Sequence, residues 1–142
     1  MGPSQSKKLH ISSRLSEVAS VQKAVVRQME AIGHGPEVQF AVRLALDEAL
    51  ANAIHHGNRD DPTKRVTVTY RVTAAQVRIS VLDEGRGFDP SLVPDPRLSE
   101  NLCKPNGRGI MLMRAYMTCV DYNHQGNCVT LIKKRALGPG SS

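Results

Sequence analysis

Asp47-Glu48-Ala49-Leu50-Ala51-Asn52-Ala53-Ile54-His55-His56-Gly57 is the stretch around which the rest of the chain can be ordered. It closes a run from about Glu37 to His56 in which Val42, Leu46, Leu50, Ala53 and Ile54 recur at helical spacing, and Gly57-Asn58 supplies the stop. Glu48 and Asn52 stand four apart, so they share one face of that helix. At about 100° per residue this face lies roughly 120–160° from Leu46 and Leu50. A carboxylate that can take a proton and an amide oxygen that can bind a hard cation make a plausible catalytic pair. An isolated Glu-x-x-x-Asn is more often an ordinary solvated face, so the pair draws its weight from what surrounds it. His55 and His56 point about 100° apart, which does not suit a shared metal and favours a role at the helix C-terminus.

Upstream, residues 1–8 are polar and expected to be loose, with a short strand over Leu9 to Ser12. Ser16 or a neighbouring serine can cap a first helix reaching about Ile32, with Val18, Val21, Val25, Met29 and Ile32 inward. Gly33-His-Gly-Pro36 ends it. Downstream, Val66, Val68, Tyr70 and Val72 alternate along one strand, and Val77, Ile79 and Val81 along the next, with a hairpin through Thr73–Gln76. Residues 83–109 read as a long glycine- and proline-containing loop, a length that in a compact domain points to function. A short third helix is expected from Ile110 to Met117, entered through Gly107-Arg-Gly109. A last hairpin turns at Gln125-Gly126, placing Cys119 opposite Ile132 and Cys128 opposite Asn123. Two long helices, one short helix and a mostly antiparallel mixed sheet predict a two-layer α/β sandwich, one domain over residues 9–136 with a loose tail at 137–142.

Of the 142 residues, 40% are hydrophobic and 23% charged, enough for a core and against global disorder. No apolar run is long enough to span a membrane and no secretory signal is visible, so a cytoplasmic chain without membrane attachment is expected. The three cysteines lack zinc or redox spacing, and the hairpin register separates Cys119 from Cys128. The formal net charge of +6 raises a nucleic-acid partner, but the basic residues are scattered and only 4% of the chain is aromatic. A basic surface without direct nucleic-acid contact is the better account, and it remains compatible with an anionic ligand or acidic partner.

Asp83 stands where a core strand ends, placed to accept a hydrogen bond from an exocyclic amine such as that of adenine, and Gly85 and Gly87 let backbone come close to a flat ring. Gly107 and Gly109, at a helix entry, can turn backbone N–H groups toward phosphates. Neither loop is a Walker or a dinucleotide-binding motif. In their order and placement, Glu48 and Asn52, Asp83-x-Gly85-x-Gly87-Phe88 and Gly107-x-Gly109 resemble the GHKL superfamily of Bergerat-fold ATPases and kinases. The small size and the motif at 47–57 look most like the bacterial anti-sigma-factor serine/threonine kinases.

The resemblance implies ATP and Mg²⁺ as cofactors, with Glu48 as catalytic base and Asn52 as the Mg²⁺ ligand. It implies Asp83, Gly85, Gly87, Gly107, Arg108, Gly109 and Thr130 around the nucleotide, Thr130 supporting adenine recognition, and an ATP lid over residues 89–106. It further implies partner switching between a sigma factor and an antagonist protein that accepts the phosphate, and homodimer formation is common among such proteins. One departure stands out: a basic residue often precedes the second glycine loop in this family, and here Pro105 fills that place, with Lys104 before it and Arg108 within the loop. This keeps a second reading open, an ATP-dependent regulatory binding module without turnover. A third reading, a small basic nucleic-acid-binding domain, rests on charge alone.

Overall fold

Alternation of branched apolar and polar residues builds the sheet. The computed structural model describes residues 6–85 and 105–135. Strands β1 (Lys7–Ser12), β2 (Arg65–Val72), β3 (Gln76–Leu82), β4 (Cys119–Tyr122) and β5 (Cys128–Lys134) form one sheet in the order β1-β2-β3-β5-β4. Every pairing in it is antiparallel. Val66, Val68, Tyr70, Val72, Val77, Ile79 and Val81 are buried, as their period of two requires, while the residues between them face outward. β1 takes in Lys7 and Lys8 because they pair with Tyr70 and Thr69.

Helices α1 (Val18–Ile32), α2 (Pro36–Asn52) and α3 (Pro105–Tyr116) supply the second layer. Val21, Val25 and Met29 of α1, Val42, Leu46 and Leu50 of α2 and Met113 of α3 join the sheet's inner face in one apolar core. This is the two-layer α/β sandwich expected. α1 stops at Gly33, whose φ of 95° is left-handed and whose N–H bonds the Met29 carbonyl at 3.0 Å. No serine caps this helix. A 3₁₀ turn, Leu15–Glu17, leads into it, and the Glu17 carboxylate reaches back to the hydroxyl and N–H of Ser12.

Two helix ends differ from expectation. α2 ends at Asn52 and widens into a π turn over Ala53–Gly57, and the Asn58 N–H bonds the Ala53 carbonyl at 2.8 Å. The left-handed residues that follow are Arg59 and Asp60, at φ 52° and 60°, rather than a glycine. α3 begins at Pro105, five residues before the expected start, so Gly107 and Gly109 lie inside its first turns. Proline favours this position, since its ring presets φ and its missing N–H has no intrahelical partner to lose.

The last hairpin keeps its expected register, with Cys119 opposite Ile132 and the Asn123 N–H bonded to the Cys128 carbonyl at 2.9 Å. Its turn is wider. The Asn123 side-chain oxygen accepts from the N–H groups of Gly126, Asn127 and Cys128, and Gly126 takes a φ of 81°. Cys119 and Cys128 are free thiols. Among the described residues no helix is long and apolar enough to cross a membrane.

Candidate functional site

The C-terminal end of α2, the ends of β3 and β4, the start of β5 and the body of α3 surround a cavity of about 340 Å³. That size falls within the range of small-ligand sites. Its apolar walls are Ala49, Ala53, Val81, Ile110 and Val129, and its polar groups include Asn52, Asp83 and Tyr122. A cleft that sets an apolar wall against convergent polar groups suits a flat heteroaromatic ring with a charged tail.

Asp83 follows β3 directly, and its Oδ1 accepts the Gly85 N–H at 2.8 Å. Burial raises its pKa above the usual aspartate value, and the Gly85 N–H and Lys64 oppose that rise. A carboxylate held half out of water is a strong acceptor for a ligand N–H. Two glycines make room for it. A Cβ on Gly57 would lie 2.3 Å from the Asp83 Cγ, and one on Gly85 would lie 2.0 Å from the Gly57 carbonyl oxygen. The close approach that glycine permits here is therefore between the helix end and the strand end, which together aim Asp83.

Asn58 locks the same corner. It is fully buried, and its side-chain N–H₂ donates to the Ser13 Oγ at 2.8 Å and the Arg65 carbonyl at 3.0 Å. Its oxygen accepts the Glu84 N–H at 2.8 Å. One side chain thus ties the segment after β1, the start of β2 and the loop after β3. Asparagine satisfies all three because it carries both donors and an acceptor.

Glu48 and Asn52 sit half-buried on one face of α2, against α3. A Cβ on Gly109 would stand 3.0 Å from the Asn52 Nδ2 and 3.2 Å from the Glu48 Oε2, so glycine lets the α3 backbone come down on both. The Asn52 amide also hydrogen-bonds the Tyr122 hydroxyl, whose pKa burial pushes up to about 12. The spacing that placed Glu48 and Asn52 together was therefore informative, and Asp83 shares the cavity with Asn52. No group of three or more His, Cys, Asp or Glu suited to a metal occurs among the described residues. A cation at Asn52 would therefore take most of its ligands from phosphates and water, as Mg²⁺ commonly does.

Thr130 is not brought to the cavity. Val129 and Leu131 point to the helices, so Thr130 between them faces the other side, where its hydroxyl meets that of Ser80 at 3.1 Å. The strand's own alternation carries that information. Asn127, Cys128 and Val129 line the cavity instead. His55 and His56 line it too rather than merely ending a helix, and the His55 Nδ1 meets the Asp60 carboxylate at 2.6 Å. Burial and the neighbouring His55 lower the pKa of His56, with Asp60 opposing. Gly107 and Arg108 lie in α3. Gly87, Lys104 and most of the lid assigned to residues 89–106 fall outside the described residues, and the last two positions of that lid, Pro105 and Asn106, open α3.

Sequence reasoning read Gly57 and Asn58 only as a helix stop, and it missed Tyr122 altogether. Asn58 follows a glycine at a helix end, where asparagine is ordinary. Tyr122 sits in a short alternating strand with no local mark of function.

Comparison with known proteins agrees with this geometry. The sequence model of the histidine kinase-like ATPase domain matches residues 11–133. The serine/threonine-protein kinase BtrW of Bordetella bronchiseptica is 30% identical over 90 residues, covering 62% of this chain and 63% of that protein. The serine-protein kinase RsbW of Bacillus subtilis is 29% identical over 99 residues, covering 65% and 62%. The match thus spans under two thirds of these relatives' own length. In fold, the chain is similar to the crystal structure of the RsbU and RsbW domains of Rv1364c from Mycobacterium tuberculosis. The TM-score is 0.61 at 18% identity, over 91% of this chain and 32% of that one. By its matched length, its antiparallel sandwich and the corner joining α2, β3 and α3, the chain belongs to the histidine kinase-like ATPase domain family, of GHKL type.

Proposed function

We propose that this protein is an ATP- and Mg²⁺-dependent protein serine/threonine kinase of the anti-sigma-factor type, acting in the cytoplasm. It would hold a sigma factor and phosphorylate an antagonist protein. The observation that carries this reading is the convergence of Glu48, Asn52 and the Gly109 backbone, in a chain 30% identical to a protein named as a serine/threonine kinase.

In this reading adenine enters between Val81, Ile110 and Val129, and its amino group donates to Asp83. The α3 first turn, with Gly107 and Arg108, offers N–H groups and the positive end of its dipole to the phosphates. Asn52 would hold Mg²⁺, which when bound would supply positive charge to offset that of the phosphates. Glu48 takes the proton from the acceptor hydroxyl. The hydroxyl oxygen bonds to the γ-phosphorus, the bond to the β,γ-bridging oxygen breaks, and its electron pair leaves with ADP. Tyr122 steadies the Asn52 amide.

Calorimetric titration with Mg·ATP and ADP tests the site. Asp83→Asn should weaken both nucleotides by about 10- to 100-fold, the worth of a hydrogen bond to a charged acceptor. An Asp83→Asn protein with undiminished ADP affinity removes Asp83 from the adenine site. The unliganded protein should respond in the opposite sense. Folding raises the Asp83 pKa, so its contribution to stability is greatest below the unfolded value and falls as pH rises through the folded one. At neutral pH the Asn variant should melt no lower than the parent. Any advantage should shrink as the pH falls into the aspartate range, which thermal melts across pH will show.

Gly109→Ala separates positioning from folding. Alanine favours a helix over glycine by about 1 kcal/mol, so the melting temperature should hold or rise. The added methyl presses on Asn52 and Glu48, and single-turnover phosphorylation should slow by roughly ten-fold. A rate equal to the parent's would show that the α3 contact leaves the reacting groups untouched.

A further inference from the structure

The outer face of the sheet, turned away from the helices, carries a cationic stripe that the nucleotide site does not use. Arg71 and Arg78 are both exposed and stand directly opposite each other on β2 and β3. Lys8, opposite Thr69, lies diagonal to Arg71, and Lys134, opposite Gln76, lies diagonal to Arg78. Like charges facing each other across strands destabilise a sheet. Yet no ion pair within the described residues involves either arginine. Alongside runs a row of hydroxyls, Thr69, Ser80 and Thr130, joined by pairing across β2, β3 and β5. A cavity of about 200 Å³ opens between Ser6, Thr69, Arg71, Arg78 and Ser80. The carboxylates nearest this face are peripheral. Asp121 sits on the far strand β4, opposite Thr130, and Glu84 follows β3 and bonds the Arg65 backbone.

We propose that this face is a docking surface for an acidic protein partner, whose carboxylates seat against Arg71 and Arg78 and whose polar backbone meets the hydroxyl row. Arg71 and Arg78 border the cleft, Lys8 and Lys134 stand diagonal to them on the same face, and together these cations form a surface complementary to clustered carboxylates. The chemistry favours a protein over the other anions. Single-stranded nucleic acid calls for aromatic side chains on the sheet, and this stripe offers hydroxyls instead. A duplex groove calls for a protruding element, which a sheet face does not present. Insertion into a lipid surface needs a continuous apolar or aromatic patch, whereas the apolar residue beside the stripe, Ile132 opposite Arg78, stands between Thr130 and Lys134 on its face of β5. A second copy docked with its own stripe on this one would set arginines against arginines. The inference stands independently of the kinase reading, and it places the partner on the side of the sheet opposite the nucleotide cavity.

The test uses the full chain, with poly-L-glutamate as the probe, followed by fluorescence anisotropy at low and high salt. The parent should bind with an affinity that falls steeply as salt rises. The double variant Arg71→Ala/Arg78→Ala should bind about ten-fold more weakly. A control, Lys23→Ala/Arg27→Ala on the exposed side of α1, removes the same charge elsewhere and should stay within about two-fold. Equal weakening by the two doubles would mean that net charge alone is read, and it overturns the proposal. It is overturned as well if duplex DNA or phosphatidylglycerol vesicles bind the parent more tightly than the probe and lose that binding in the arginine variant. A change of oligomeric state in sedimentation, on replacing the arginines, would assign the face to a second copy and also overturn it. Thermal melts accompany each variant. Relief of the facing charges should leave the arginine variant at least as stable as the parent, and Arg71→Gln/Arg78→Gln, which keeps part of the aliphatic stems, repeats the measurement should the alanines lower the melting point.

Discussion

Glu48→Gln is expected to lower single-turnover phosphorylation of a protein acceptor by about 10²- to 10⁴-fold while leaving Mg·ATP affinity within a few fold. Glutamine keeps the length and shape of glutamate and can still hydrogen-bond. It can no longer accept the hydroxyl proton as the oxygen attacks. In the proposed reading ATP affinity survives because Asp83, rather than Glu48, meets adenine, and the phosphates are met from α3. Glu48 sits on α2 below the Gly109 backbone, so the substitution replaces one oxygen by nitrogen in an unchanged space. A Gln variant that transfers phosphate at the parent's rate would show that another group takes the proton. Stable ATP binding by the parent with no phosphorylated product would favour the regulatory module without turnover.

Asn58→Ala should destabilise the fold by about 3 kcal/mol or more, the sum of several buried polar groups losing partners. The Arg65 carbonyl and the Glu84 N–H lose the amide that satisfies them, in a place where that amide is fully buried. Ser13 keeps its bond to the Lys64 carbonyl, so its loss is smaller. Because Glu84 follows Asp83, nucleotide affinity should fall with stability, and amide exchange at Glu84 should accelerate more than exchange at the centre of β3. Urea denaturation measures the first effect and hydrogen exchange the second. A variant that keeps the parent's midpoint would mean that water replaces the amide and that the corner does not depend on it.

Much of this architecture was legible in the residues because it depends on local periodicity. Val18, Val21, Val25 and Met29 are buried at the spacing of a helix, and Val66, Val68, Tyr70 and Val72 at the spacing of a strand. The pairing of Cys119 with Ile132 follows from the length of the last turn. Thr130 was misassigned although the information was present, since its neighbours Val129 and Leu131 are inward. The start of α3 was obscured by glycine. Gly107 and Gly109 look like a loop because glycine weakens a helix, while Pro105 at the first position favours one.

By itself the sequence determined the sandwich and the pairing of Glu48 with Asn52 on one helix face, since side-chain periodicity sets which way each residue points. It also set Asp83 at the end of a core strand. Only the tertiary structure decided that Gly57 makes room for Asp83, that Gly109 settles on Glu48 and Asn52, that Asn58 holds the loop after β3, and that Tyr122 reaches Asn52. Arg71 and Arg78 likewise became a facing pair only through the register of β2 on β3. Each of these joins residues on different elements. Such approaches are fixed by how the helices and sheet pack, and no local pattern of charge or hydrophobicity encodes them.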